Sequence, residues 1–191
     1  MLERRTPLDS VQAYAGQHGP TLKRAGLRVA PVRDRGLLLL QSATVPALQE
    51  SLAQELGLAL PSAQTAALLG HYSLLWLTPA EWLLELPADQ TDSVQGGLTR
   101  RLTASLAAVT DFSDAMMSTE ISGERAAEIL ATGCSLDLAP HAFPSSRVVR
   151  TLLGDIPAIL WNPGGTDRYR CLVDRGFAAH FLTWLDGAVP L

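Results

Sequence analysis

Lysine is nearly missing from this chain: Lys23 stands alone beside 14 arginines among 191 residues. Charge of either sign is scarce, at 18% against a usual share of about 25%. The net charge is −4 and the basic residues are scattered, so nothing attracts a polyanion and nucleic acid is excluded as an expected partner. Cysteine is limited to Cys134 and Cys171, with no CxxC pair and no disulfide framework of the secreted kind. Apolar runs are short, as at residues 37–40, whereas a membrane span needs about 20 apolar residues. Met1-Leu2-Glu3-Arg4-Arg5 lacks the apolar core of a signal peptide. The expectation is a cytoplasmic protein without a membrane partner.

What is present is apolar. Hydrophobic residues make up 47% of the chain, 34 residues are leucine, and the mean hydropathy is +0.14. A globular core follows, and disorder does not. A chain of this size normally covers its surface with more charge, so the shortfall points to apolar surface held against a partner. A genome rich in alanine, leucine and arginine codons produces the same shortfall, and both explanations stand at this point. Arginine suits partly buried ion pairs because its fork holds a carboxylate at two points; base composition is the simpler source of that bias.

Residues 1–25 are polar and broken by Pro7, Gly16, Gly19 and Pro20, which reads as an arm. Alternation over 27–33, the turn signal Asp34-Arg35-Gly36 and the run 37–41 predict a hairpin. Leu48, Leu52 and Leu56 recur every fourth residue, predicting a helix over 46–56 ended by Gly57. Residues 61–71 read as a loop with a short turn at 66–69. A second hairpin is predicted from 72–78 and 81–86 around Pro79-Ala80. Val94, Leu98, Leu102 and Leu106 predict a helix over 91–107 capped by Asp92 or Ser93, which Gly96-Gly97 weakens. A long or bent strand over 108–121 and a helix over 123–132 stopped by Gly133 follow. After a loop at 140–144, strands at 147–153, 156–161 and 168–173 are joined by Gly154-Asp155 and Asn162-Pro163-Gly164-Gly165. A last helix over 176–185 buries Phe177, Phe181, Leu182 and Leu185. Adjacent strands joined by tight turns predict an α+β fold: two ferredoxin-like halves of mostly antiparallel sheet with helices packed on one face. The expected division is an arm at 1–25, a first half at 26–107 and a second at 108–191, forming one compact unit.

Chemistry is harder to find. Neither glycine pair sits in a phosphate-cradling motif, and no G-x-S-x-G elbow occurs. No two of His18, His71, His141 and His180 lie at helical spacing, so no metal site is readable. His141 lies near Asp137 and Cys134, where a Cys/His couple is conceivable, but a loop histidine beside a buried helix-end cysteine is the more ordinary reading. Asp111 and Asp114 flank Ser113 and could serve acid/base chemistry; capping a turn is the commoner fate of such residues. Glu124 and Glu128, one turn apart beside Arg125, complement the helix dipole without a catalytic role. Trp76, Trp82, Trp161 and Trp184 are expected in the core, since an exposed tryptophan would mark an interface or a flat ligand.

Three stretches resemble one family. Trp76-Leu77-Thr78-Pro79-Ala80-Glu81-Trp82-Leu83-Leu84 is similar to a hairpin of the gamma subunit of heterotetrameric sarcosine oxidase. Gly123-Glu124-Arg125-Ala126-Ala127-Glu128-Ile129-Leu130, running into Gly133-Cys134-Ser135-Leu136-Asp137-Leu138, resembles the same family, as does the closing Arg175-Gly176-Phe177-Ala178-Ala179-His180-Phe181-Leu182-Thr183-Trp184-Leu185. Asp111-Phe112-Ser113 followed by the helix at 123–130 also resembles the folate-binding domains of aminomethyltransferases.

The resemblance implies a non-catalytic subunit of a complex that demethylates sarcosine to glycine with tetrahydrofolate as one-carbon acceptor. It implies that FAD, FMN, NAD and the folate site belong to the large alpha and beta subunits, and zinc to the delta subunit. No catalytic, cofactor-binding or metal-ligating residue is then expected in this chain. The alternative is a free-standing folate-binding, aminomethyltransferase-like protein, with a pocket lined by Asp111 or Glu120 and with Trp82 or Phe112 stacking on a pterin.

Overall fold

The structure, a computed structural model, describes residues 22–24 and 26–188. The arm expected over 1–25 lies outside the described residues except at its end, where Leu22–Arg24 is a strand, β1. The remaining strands are β2 (Leu27–Pro31), β3 (Arg35–Ser42), β4 (Ala66–Leu69), β5 (Tyr72–Thr78), β6 (Glu81–Pro87), β7 (Ala107–Asp111), β8 (Met116–Ser122), β9 (Val148–Leu153), β10 (Ile156–Trp161) and β11 (Arg168–Asp174). Four helices accompany them: α1 (Val45–Leu56), α2 (Thr91–Arg101), α3 (Ala126–Ala131) and α4 (Ala178–Ala188).

The chain divides into two compact units, one formed by residues up to 32 with those from 115 on, the other by residues 33–114. The first unit holds a six-stranded sheet in the order β1-β2-β8-β11-β10-β9, antiparallel throughout. Alternate residues of β8, β10 and β11 (Met117 and Ile121; Ala158 and Leu160; Tyr169, Cys171 and Val173) form its core with Ile129 and Leu130 of α3 and Phe181, Leu182 and Leu185 of α4. The second unit holds a five-stranded antiparallel sheet in the order β4-β5-β6-β3-β7. Leu38, Leu40, Leu74, Trp82 and Leu84 pack there against Leu48 and Leu52 of α1 and Val94 and Leu98 of α2. In each unit the helices bury the alternate residues of one sheet face, which is the α+β arrangement that the run of tight turns predicts.

Several boundaries differ from the sequence reading. β2 and β3 do not form a hairpin: β2 pairs with β8, and β3 with β6 and β7. Asp34 does turn the chain, at φ 57, but it turns it from one sheet to the other. The first half therefore starts at residue 33 rather than 26, and β7 at 107–111 belongs to it rather than to the second half. The segment 66–69, read as a turn in a loop, is β4, paired with β5. Helix α2 ends at Arg101 rather than 107, and neither Asp92 nor Ser93 caps it; Gln90 occupies the N-cap. Leu106, placed in the helical stripe, is 79% exposed. Phe177, expected in the core of the last helix, is exposed in the 3-10 turn before α4.

Other signals hold. Gly57 closes α1 at φ 70, and Gly154 and Asp155 take φ 53 and 65 in the β9–β10 turn. The indole of Trp184 lies over the backbone of Gly133 and Gly154, where an added Cβ would have no room.

Candidate functional site

The densest polar cluster lies on the face of the six-stranded sheet turned away from α3 and α4. Glu120 of β8 is directly opposite Arg170 of β11, while Arg28 of β2 and Arg168 of β11 both lie opposite Ser122. This register sets three guanidinium groups around one carboxylate. Arg168 Nη2 donates to Glu120 Oε2 at 2.7 Å, Arg170 Nη2 approaches the same oxygen at 3.5 Å, and Arg28 Nη1 lies 3.8 Å from Oε1. Burial pushes the Glu120 carboxyl up, but the Arg168 hydrogen bond and the charges of Arg168 and Arg170 outweigh it and hold it below its ordinary value. The Arg170 guanidinium sits 5.3 Å from the ring centre of Trp161, a cation–π contact. Trp161 is 1% exposed, and its Nε1 has no hydrogen-bond partner among the described residues. The cluster clamps three adjacent strands and presents no proton-transfer pair or nucleophile.

The other residues singled out in sequence take structural roles. Asp111 Oδ1 accepts from the Ser113 backbone N–H at 2.8 Å and from its hydroxyl at 2.5 Å. The Ser113 hydroxyl oxygen in turn accepts from Leu37 N–H at 3.0 Å, so the pair closes the end of β7 onto β3. Asp111 and Glu120 belong to different units. Trp82 is 3% exposed inside the helix-packed core, so its ring is not a platform for a pterin. Arg125 donates to both oxygens of Glu128, at 2.9 and 2.8 Å, on the surface, and this hydrogen bonding lowers the Glu128 carboxyl.

His141 Nε2 and Asp137 Oδ2 lie 3.6 Å apart, both exposed, whereas Cys134 is buried with Thr151 Oγ1 3.8 Å from its sulfur. The Cys/His couple is therefore not assembled. Burial, with a smaller contribution from Cys134, pushes the Cys171 thiol far up, opposite to what a nucleophilic thiolate requires. Among the described residues, no group of three or more His, Cys, Asp or Glu side chains could hold a metal ion. No helix of the described residues is long and apolar enough to cross a membrane.

The sequence reading left out Arg28, Arg168 and Arg170. Their signal was the alternation Arg168-Tyr169-Arg170, which sets two arginines on one face of a strand, but their shared partner depends on strand order.

Comparison with known proteins identifies what this frame belongs to. The sarcosine oxidase, gamma subunit family matches residues 41–190. The gamma subunit of sarcosine oxidase from Corynebacterium sp. (strain U-96) is 32% identical over 180 residues, covering 92% of this chain and 82% of its own. The Arthrobacter sp. gamma subunit is 33% identical over 141 residues, 73% of this chain and 68% of its own. Among solved structures, a chain of the heterotetrameric sarcosine oxidase from Corynebacterium sp. U-96, in complex with pyrrole 2-carboxylate, matches with a TM-score of 0.85 and 26% identity over 97% of this chain and 94% of that one. The glycine cleavage system aminomethyltransferase T from Bartonella henselae shares the fold at a TM-score of 0.65 and 17% identity, over 87% of this chain and 48% of that one. This chain belongs to the sarcosine oxidase gamma subunit family.

Proposed function

We propose that the chain is a non-catalytic subunit of a heterotetrameric sarcosine oxidase, acting in assembly and stability while the chemistry proceeds on other subunits. The observation that carries this reading is the match to a chain of a heterotetrameric sarcosine oxidase at a TM-score of 0.85 over 97% of the chain. The structural roles taken by Asp111, Ser113, Glu120, Trp82 and Cys134 support it. On this reading the partners are large alpha and beta subunits and a small delta subunit in the cytoplasm. FAD, FMN, NAD and tetrahydrofolate belong to the large subunits, where sarcosine is oxidatively demethylated to glycine.

Coexpression tests it. The chain is expected to co-elute in about equimolar amount with flavin absorbance when produced together with the alpha, beta and delta subunits, as a subunit held by an interface of standard size would. A well-behaved monomer that never enters the flavin-containing complex overturns the reading.

A further inference from the structure

An edge strand turns the N–H and C=O of every second residue outward. Four strands stand at sheet edges here: β1 and β9 in one sheet, β4 and β7 in the other. Proteins usually block such edges with charge, proline, bulges or a covering element, because a bare edge recruits another strand. The sequence of β1 includes Lys23 and Arg24, and two of the other three edges are blocked: β9 carries Arg150 in its middle. On β7, Gln95 of α2 donates from Nε2 to the Val109 carbonyl at 3.1 Å, and Asp111 ends the strand.

Among the described residues β4 has none of these devices; it reads Ala66-Ala67-Leu68-Leu69. Trp76 N–H donates to Thr65 O at 3.0 Å, and in the register Ala67↔Leu74 and Leu69↔Tyr72 this turns the backbones of Thr65, Ala67 and Leu69 toward β5. The backbone groups of Ala66 and Leu68 therefore face outward, and they make no hydrogen bond among the described residues. The side chains of Leu68 and Leu69, on opposite faces of the strand, are 47% and 46% exposed.

We infer that β4 is where a partner subunit of the complex adds an uncharged, extended strand to the five-stranded sheet. The inference rests on the reading of the chain as a subunit of a larger assembly. Backbone hydrogen bonds to Ala66 and Leu68 supply the attachment, and apolar side chains on the two faces of the added strand cover Leu68 and Leu69. A second copy of this chain is a poor occupant. Two four-residue strands paired edge to edge bury far less than the roughly 1,200 Å² of a stable interface. A larger subunit can continue over the neighbouring surface.

Two measurements on the assembled complex decide it. In the free wild-type chain the Ala66 and Leu68 amides should exchange with solvent rapidly, and in the complex about a hundredfold more slowly. Leu68→Pro removes an outward N–H without touching the bonds to β5. It should weaken association roughly tenfold, an effect of the size of one or two lost hydrogen bonds. Amides that stay fast in the complex overturn the inference while leaving subunit membership intact. A wild-type chain that never joins the complex overturns both readings. A free chain that is dimeric in solution, and that Leu68→Pro renders monomeric, assigns the edge to a second copy and overturns the partner strand.

Discussion

Glu85 has no exposed side-chain surface, and its Oε1 accepts from Arg35 Nε at 2.9 Å. Arg35 also reaches backbone carbonyls, donating from Nη2 to His71 O at 2.5 Å and Glu85 O at 3.4 Å. A carboxylate carried this far from water depends on the groups that pair with it, because removing a charged hydrogen-bond partner from a buried acceptor costs more than the same loss at the surface. Arg35→Met should therefore lower the unfolding free energy by about 2 kcal/mol, the size of one lost hydrogen bond to a charged group, read from the urea midpoint at neutral pH. Adding Glu85→Leu to that variant should recover part of the loss, since it removes the buried charge that Arg35 pairs with. A single variant as stable as the wild type would mean that the pair does not hold β3 to β6.

Glu120 acts between elements, joining β8 to β2 on one side and β11 on the other. Its folded-state pKa is depressed, so its contribution to stability is complete above the unfolded value of about 4.3 and is lost as the pH falls through the folded value. Glu120→Gln should be less stable than the wild type at neutral pH, and the difference should shrink between about pH 5 and pH 3. Denaturant midpoints collected across that range for both proteins measure it; a difference independent of pH would place the effect of the substitution in packing. The same strands illustrate what a sequence can and cannot convey. The periods of Leu48–Leu52 and Phe181–Leu185 are local, and they mark α1 and α4 because burial of one helix face needs only neighbouring turns. The β9–β10 turn was legible for the same reason. The partner of β2 is β8, however, more than 80 residues away, and the signal at Asp34 reports a change of direction without saying which sheet receives the chain. β4 was missed because two alanines and two leucines have no alternation to read. For the candidate site, the lack of a motif was legible, whereas the arginine cluster required the strand order to bring Arg28 and Arg168 opposite the same serine.

At the scale of the molecule, the core of the first unit is stitched from both sides of the second: Leu27 and Val29 come from before it, and residues from Met117 to Leu185 from after it. Cys171 sits in that core at 0% exposure and Cys134 at 8%. Two effects protect Cys171. Reagent cannot reach a thiol with no exposed surface in the core it shares with Phe181, Leu182 and Val173, and burial raises the Cys171 pKa so that little thiolate forms even at mildly alkaline pH. Labelling of Cys171 thus requires the stitched core to open. In the native protein at about pH 8, where a free thiol with a pKa near 8.5 is substantially ionised, Cys171 should remain unmodified while both cysteines react promptly in denaturant. As denaturant is raised, modification of Cys171 should follow the same midpoint as the fluorescence change of Trp161 and Trp184, which belong to the same unit. Modification well below that midpoint would mean that the strands carrying Cys171 separate from α4 before the unit unfolds, which a single core shared by both ends of the chain does not permit.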